Sequence, residues 1–199
     1  TKMLADELVS LGHRVSVLAE VSEDERSRQE PYMDGAIAVY RCWDRKFEDW
    51  AMARQVLSSI EPDLLHVQHE WAIYYGPGSL GLKGLVSSAD CRRAITWHTP
   101  DFLTAGKHPG DDAVLSYDSV VDLHITHNRG KARVMSQMLN NGVTHIPHGV
   151  KAIPFDVDAR DELSVPAGVP LFFSYGFLNG SKGAHILLEA AVEASKRAP

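Results

Sequence analysis

Short apolar runs of strand type alternate with stretches of helical periodicity along almost the whole chain, and this alternation narrows the possible folds more than any other feature. Leu4, Leu8 and Leu11 recur at helical spacing, Gly12 stops that helix, and Val15 to Ala19 follow as a strand-like run. The charged segment Ser22 to Gln29 is expected to be a loop, and Ala36 to Tyr40 the next strand. A helix over Phe47 to Ile60 closes at Glu61-Pro62, leading into a strand at Leu64 to Val67, a Gly/Pro-rich turn at Gly76-Pro77-Gly78 and a small helix at Leu80 to Val86. Strands at Ala94 to Trp97, Leu123 to Thr126 and Val143 to Ile146 then alternate with helices at Ala113 to Val120 and Lys131 to Leu139. Strands separated by helices must cross over and return in the same direction, so the expected fold is α/β, with a Rossmann-like parallel sheet covered on both faces.

From Lys151 to Pro170 the pattern gives way to mixed charge and prolines (Pro154, Pro166, Pro170), the composition of a connector. A fresh strand is expected at Leu171 to Tyr175, a turn at Gly176 to Ser181 and a helix at Ala184 to Lys196. Residues 1–166 are therefore read as one domain and 167–199 as the opening of a second. Thr1 stands in place of an initiator Met and leads straight into a helix, while Ala198-Pro199 stops where another strand is due, so the chain is expected to be a piece of a longer protein.

Of the 199 residues, 44% are hydrophobic and 23% charged, the balance of a soluble globular protein. The net charge of -6 carries no long run of one sign, which argues against a nucleic-acid partner. Cys42 and Cys91 are too few and too far apart for a disulfide framework or a zinc ribbon. The sparse cysteines fit a reducing cytoplasm, and no stretch reaches the roughly 20 apolar residues of a membrane span, which leaves peripheral membrane contact open.

Ligands of open parallel sheets bind beyond the C-terminal ends of the strands. Those ends are polar here: Gln68-His69-Glu70-Trp71, His98-Thr99-Pro100-Asp101, His127-Asn128 and Pro147-His148-Gly149. Any one of these histidines reads first as a satisfied surface or core residue, but four along one sheet edge point to a polar ligand cleft lined by His69, Glu70 and His127 among others. Trp71, Tyr74 and Tyr75 either stack on a sugar or pack beneath the loop, with packing the favoured reading. In Tyr175-Gly176-Phe177-Leu178-Asn179-Gly180-Ser181-Lys182-Gly183, glycines, a helix N-terminus and a lysine suit a phosphate or diphosphate, against the plainer reading of an ordinary βα turn with a solvated lysine. Neither a Walker A loop nor the Rossmann Gly-x-Gly-x-x-Gly is present. No metal is expected: His66 and His69 lack the order of a zinc-enzyme motif, and their odd separation puts them on opposite faces of a strand. Gly-x-Ser-x-Gly does not occur either.

Taken in order, Leu4-Ala5-Asp6-Glu7-Leu8 through Gly12-His13-Arg14-Val15-Ser16-Val17-Leu18, Pro62-Asp63-Leu64-Leu65-His66-Val67-Gln68-His69-Glu70, Ile95-Thr96-Trp97-His98-Thr99, Ile146-Pro147-His148-Gly149-Val150, and Tyr175-Gly176-Phe177-Leu178 with Lys182-Gly183 resemble the two-domain GT-B glycosyltransferases of glycosyltransferase family 4. The resemblance implies transfer of a sugar from a nucleotide-diphosphate donor to a carbohydrate or small-molecule acceptor, with retention of configuration, no cofactor and no essential metal. It implies that His98 faces the transferred sugar as the catalytic residue and that Gly176, Asn179, Lys182, His148 and Gly149 bind the donor, His148 and Gly149 lying near the cleft. Family members also carry a basic residue ahead of the lysine; here Phe177 to Ser181 supply none, and Asn179 offers a hydrogen bond without charge. The family's first strand would precede Thr1 and its paired glutamates would follow Pro199, so this piece is expected not to turn over. A sugar-nucleotide epimerase of the same fold and a non-catalytic relative are the alternatives, the second favoured by the missing basic residue.

Overall fold

The computed structural model describes residues 1–21, 31–74, 77–100, 111–150, 159–166, 168–169, 171–172 and 182–197. Contacts divide the chain into two compact units, Thr1–Val150 and Lys151–Pro199. The division falls ahead of the 166/167 boundary expected from composition. Arg160, on α7 (Ala159–Glu162), donates to the carbonyls of Pro166 and Val169 at 3.4 and 3.0 Å, which ties that proline-rich stretch to the second unit.

In the first unit, α1 (Lys2–Ser10) ends in a Schellman turn: Gly12 sits at φ 89°, its N–H bonds Val9 O, and His13 N–H bonds Leu8 O. The helix does not bury the Leu4/Leu8/Leu11 stripe suggested by spacing. It lays the small Ala5 against Ile37 and Val39, leaving Leu4 and Leu11 exposed, because a methyl group lets the helix lie close to the sheet. β1 (Ser16–Glu20) runs parallel to β3 (Ile37–Trp43), while β2 (Tyr32–Asp34), unanticipated from sequence, pairs antiparallel with β3. The connecting turn is Gly35-Ala36, with Gly35 at φ 62° as a two-residue hairpin requires.

A second sheet carries β4 (Leu64–His69), β5 (Arg92–Trp97), β6 (Leu123–Thr126) and β7 (Gly142–His145) in that spatial order, all parallel. α2 (Ala51–Ile60) leads into β4, and the crossovers carry α3 (Trp71–Tyr74) and α4 (Pro77–Ser87), then α5 (Asp111–Asp118), then α6 (Arg129–Met138). This four-stranded sheet is the Rossmann-like α/β arrangement that the alternation implies; among the described residues β1 and β3 depart from it by forming a separate three-stranded sheet with the antiparallel β2. Trp50, Trp97, Tyr117, Ile95 and Met135 are the largest fully buried members of one core, joined by Leu57, Val67 and Leu82. Each large side chain withdrawn this fully contributes roughly 2–3 kcal/mol.

The second unit contains α7 and α8 (Ala184–Arg197). Leu171 and Phe172, expected to open a strand, take part in no described ladder and are about half exposed. The rest of that expected strand, the turn carrying Gly176 and Asn179, and the loop at 22–30 lie outside the described residues.

Candidate functional site at the strand tips

Register decides which side chains meet. His69 pairs with Trp97, Trp97 with Thr126 and Thr126 with His145, so the next residues along β5 and β6 emerge side by side. The ladders run one step further through His98 N–H to His69 O at 3.0 Å and Ile146 N–H to Thr126 O at 3.1 Å. Neighbouring parallel strands lie about 4.8 Å apart, and His98 and His127, one residue past their strands, approach to 5.0 Å between ring centroids. His148 comes back over them from beyond β7: its ring stacks on His127 at 3.6 Å and lies 5.7 Å from His98.

Each of the first two rings is held by a hydrogen bond that fixes its tautomer. Gln68 presents its amide oxygen to His98, whose Nε2–H donates at 2.9 Å, and its amide nitrogen donates to His66 Nε2 at 3.0 Å. His66 Nε2 also accepts from Thr96 Oγ1 at 2.8 Å. The Nδ1 of His98 therefore keeps the lone pair. His127 donates from Nδ1 to the Ile146 carbonyl at 2.8 Å, which leaves Nε2 unprotonated, buried and without a partner among the described residues. Burial, with His127 and His148 alongside, holds His98 below the usual imidazole range, so it is neutral near pH 7. Asn128 caps α6 by accepting from Lys131 N–H at 2.9 Å, anchoring the turn on which His127 stands.

His69 is not at the cleft. It is the last residue of the β4 ladder, on the face shared by Val67 and Trp97, and it is 3% exposed. Its ring packs 4.4 Å from Trp97 and 5.3 Å from Tyr74, and burial pushes it down to about 4. Glu70, next along the chain, accepts from Thr99 Oγ1 at 2.5 Å and links the β4 and β5 tips. Tyr74 packs against Trp43 and Trp50, in keeping with the packing reading. Gly149 follows His148 with open space where a side chain would project. Lys182 lies in the second unit, exposed, two residues before α8. An open hollow lined by Cys91, Arg92, Arg93 and Asp122 sits at the opposite end of the strands, where Arg93 and Asp122 already pair with each other.

Residues 1–151 of the chain, which carry this polar row, match the family described as Glycosyltransferase Family 4. The chain belongs to glycosyltransferase family 4. None of the curated proteins compared with it matches. As a family 4 glycosyltransferase it has a GT-B-type Rossmann-like domain and acts on sugars. Among the described residues no helix is long and apolar enough to cross a membrane.

An imidazole whose tautomer is fixed is a directional hydrogen-bonding partner. His98 offers an acceptor at Nδ1 and His127 one at Nε2. Sequence reasoning missed Gln68 and Thr96 as members of the site. Their signal was present: His66 and Gln68 alternate on one face of β4, and Thr96 is in register with Gln68.

Proposed function

We propose that this family 4 glycosyltransferase transfers a sugar, with retention of anomeric configuration, from a nucleotide-diphosphate donor to a carbohydrate or small-molecule acceptor. The carrying observation is the convergence of His98, His127 and His148 at the C-terminal edge of the parallel sheet. His98, neutral and braced through Nε2 by Gln68, accepts from a hydroxyl of the transferred sugar at Nδ1 and so positions it for departure of the diphosphate. Glu70 and His127 line the acceptor or cleft side, and His148 and Gly149 the donor side.

The departing diphosphate gathers negative charge. Lys182 and the first amides of α8 are suited to receive it, with Gly176 and Asn179 contributing backbone access and a hydrogen bond. The reaction in this reading needs no cofactor and no essential metal, and it takes place in the cytoplasm. Residues 1–199 alone are proposed not to turn over, because the family's paired donor-gripping glutamates are not among the matched motifs.

The test is the complete reading frame, expressed and offered a panel of nucleotide sugars, with mass spectrometry of acceptors and measurement of released nucleoside diphosphate. Consumption with a transferred sugar supports the reading and identifies the donor. A folded protein that binds nucleotide sugars and releases nothing with any acceptor would replace it with a non-catalytic binding role. Lys182→Ala in that protein is expected to weaken nucleotide-sugar affinity by roughly 1.5–3 kcal/mol, the range for a hydrogen bond to a charged group, with little change in thermal stability. Unchanged affinity in a calorimetric titration would remove Lys182 from the site.

A further inference from the structure

Three imidazoles from three different strand tips approach one another at His98, His127 and His148: taking one ring nitrogen from each, the atoms lie within 4.8 Å of one another. We propose that these three histidines form a binding site for a divalent transition-metal ion of the zinc type, with a fourth position open to water or another ligand.

His127 supplies the strongest argument. A buried polar atom without a partner is costly, commonly about 1–3 kcal/mol, and its Nε2 is such an atom among the described residues. Because the Ile146 carbonyl takes the proton side at Nδ1, the lone pair on Nε2 is available to a cation. A second-sphere carbonyl that fixes the ring and raises its basicity is the usual support of a metal-bound histidine. His98 has the equivalent support from the Gln68 amide oxygen, and Gln68 is itself oriented by His66. The exposed His148 completes the set.

The donor set selects the ion. Imidazole nitrogens favour Zn2+, Co2+, Ni2+ and Cu2+, whereas Mg2+ and Ca2+ take oxygen ligands. Metal–nitrogen bonds of about 2.1 Å in a tetrahedron place the nitrogens roughly 3.4 Å apart, so the cluster contracts on binding. His148 is the ring free to make that movement, by leaving its stack on His127. Spacing in the sequence hides the site, since the ligands come from the segments that follow β5, β6 and β7 and not from one element. The transferase reading uses the same three rings, so an ion and a sugar hydroxyl compete for the Nδ1 lone pair of His98, and no step of sugar transfer is assigned to the ion.

The test uses the 199-residue chain without a histidine tag. Zn2+ is titrated calorimetrically in a non-coordinating buffer, and Co2+ serves as a spectroscopic probe of coordination. One ion per chain is expected, with visible Co2+ absorption of a four-coordinate site and no displacement by excess Mg2+. His148→Ala, at an exposed position, is expected to weaken Zn2+ binding by about 10–100-fold or more, and Gln68→Leu by about 10-fold through loss of the brace on His98. His13→Ala, exposed and remote in sequence, is expected to leave binding unchanged. Absence of saturable Zn2+ binding to the folded chain, equal competition by Mg2+, or an affinity unaffected by His148→Ala would each overturn the proposal.

Discussion

At the residue scale, what a histidine does here depends on which side of a strand end it occupies. Spacing suggested that β4 stops at Val67, which would leave His69 free at the tip; the ladder in fact continues to His69 and turns its ring into the aromatic core. His98 and His127 lie one residue past their last paired positions and escape that fate. Four histidines at strand ends were thus legible in the sequence, but the one-residue difference that separates core from cleft was not. The same applies to Gln68, whose value lies in holding His98. In the complete transferase, Gln68→Leu is expected to lower kcat/KM about 10-fold by releasing His98, while Gln68→Glu, which keeps an acceptor oxygen, recovers part of the loss. Steady-state kinetics of both variants check this; equal losses would deny Gln68 its bracing role. His124 is a structural counterpart. Fully buried, it accepts from Trp97 Nε1–H at 3.1 Å and turns Nε2 toward Asp118 Oδ1 at 3.5 Å. His124→Leu keeps the bulk but strands the indole N–H, so urea unfolding is expected to show a loss of about 1–3 kcal/mol.

At the element scale, periodicity located the main strands and most of the helices of the first unit, because each must hide an apolar face. It failed where an element is short or needs a turn to exist: β2 is three residues long and depends on the hairpin at Gly35, and α3 is a single turn. Helix α4 shows a further property that propensity alone reads wrongly. Its sequence holds Gly81 and Gly84, both unfavourable inside a helix by up to about 1 kcal/mol against alanine. A β-carbon at Gly81 would lie 2.6 Å from Cδ1 of Trp50. That indole cannot yield cheaply, since it is 2% exposed, stacks on Trp43 at 4.7 Å and donates to the carbonyls of Asp44 and Phe47 at 3.1 and 3.0 Å. Gly81→Ala is therefore expected to destabilise by roughly 1–3 kcal/mol in spite of its better propensity. At Gly84 the nearest atom is Arg54 Nη1 at 3.8 Å, so Gly84→Ala is expected to stabilise by up to about 1 kcal/mol. Thermal unfolding of the pair measures the difference, and the same sign for both would show that packing at Trp50 is not the deciding term.

At the scale of the whole molecule, the buried ionisable groups of the first unit give stability a defined dependence on pH. Burial holds His66 and His124 below their ordinary value of 6.5, although Asp118 partly counteracts this at His124. Glu20 is lowered chiefly by hydrogen bonding to Arg45 and Asp122 by Arg93; burial raises Asp118, but the N–H groups of Asn140 and Asn141 outweigh it and leave it low. In all of these the unfolded chain binds protons more readily than the native one. Their stabilisation is complete above the unfolded values, starts to fall as pH drops through about 6.5, where the histidines begin to charge in the unfolded chain, and falls further below about 4.5, where the carboxylates follow. On the alkaline side the order reverses. Burial pushes Cys42 from 9.0 and Tyr74 from 10.0 up to about 12, and raises Tyr117 as well, so the native state keeps protons that the unfolded chain gives up. Stability is then lost as pH rises through about 9 to about 12. The urea midpoint is accordingly expected to be flat between about pH 7 and about pH 9 and to decline on both sides. A midpoint that rose on acidification from about pH 7 to about pH 5 would mean that the buried imidazoles gain protons on folding, which the acceptor role of His124 toward Trp97 forbids.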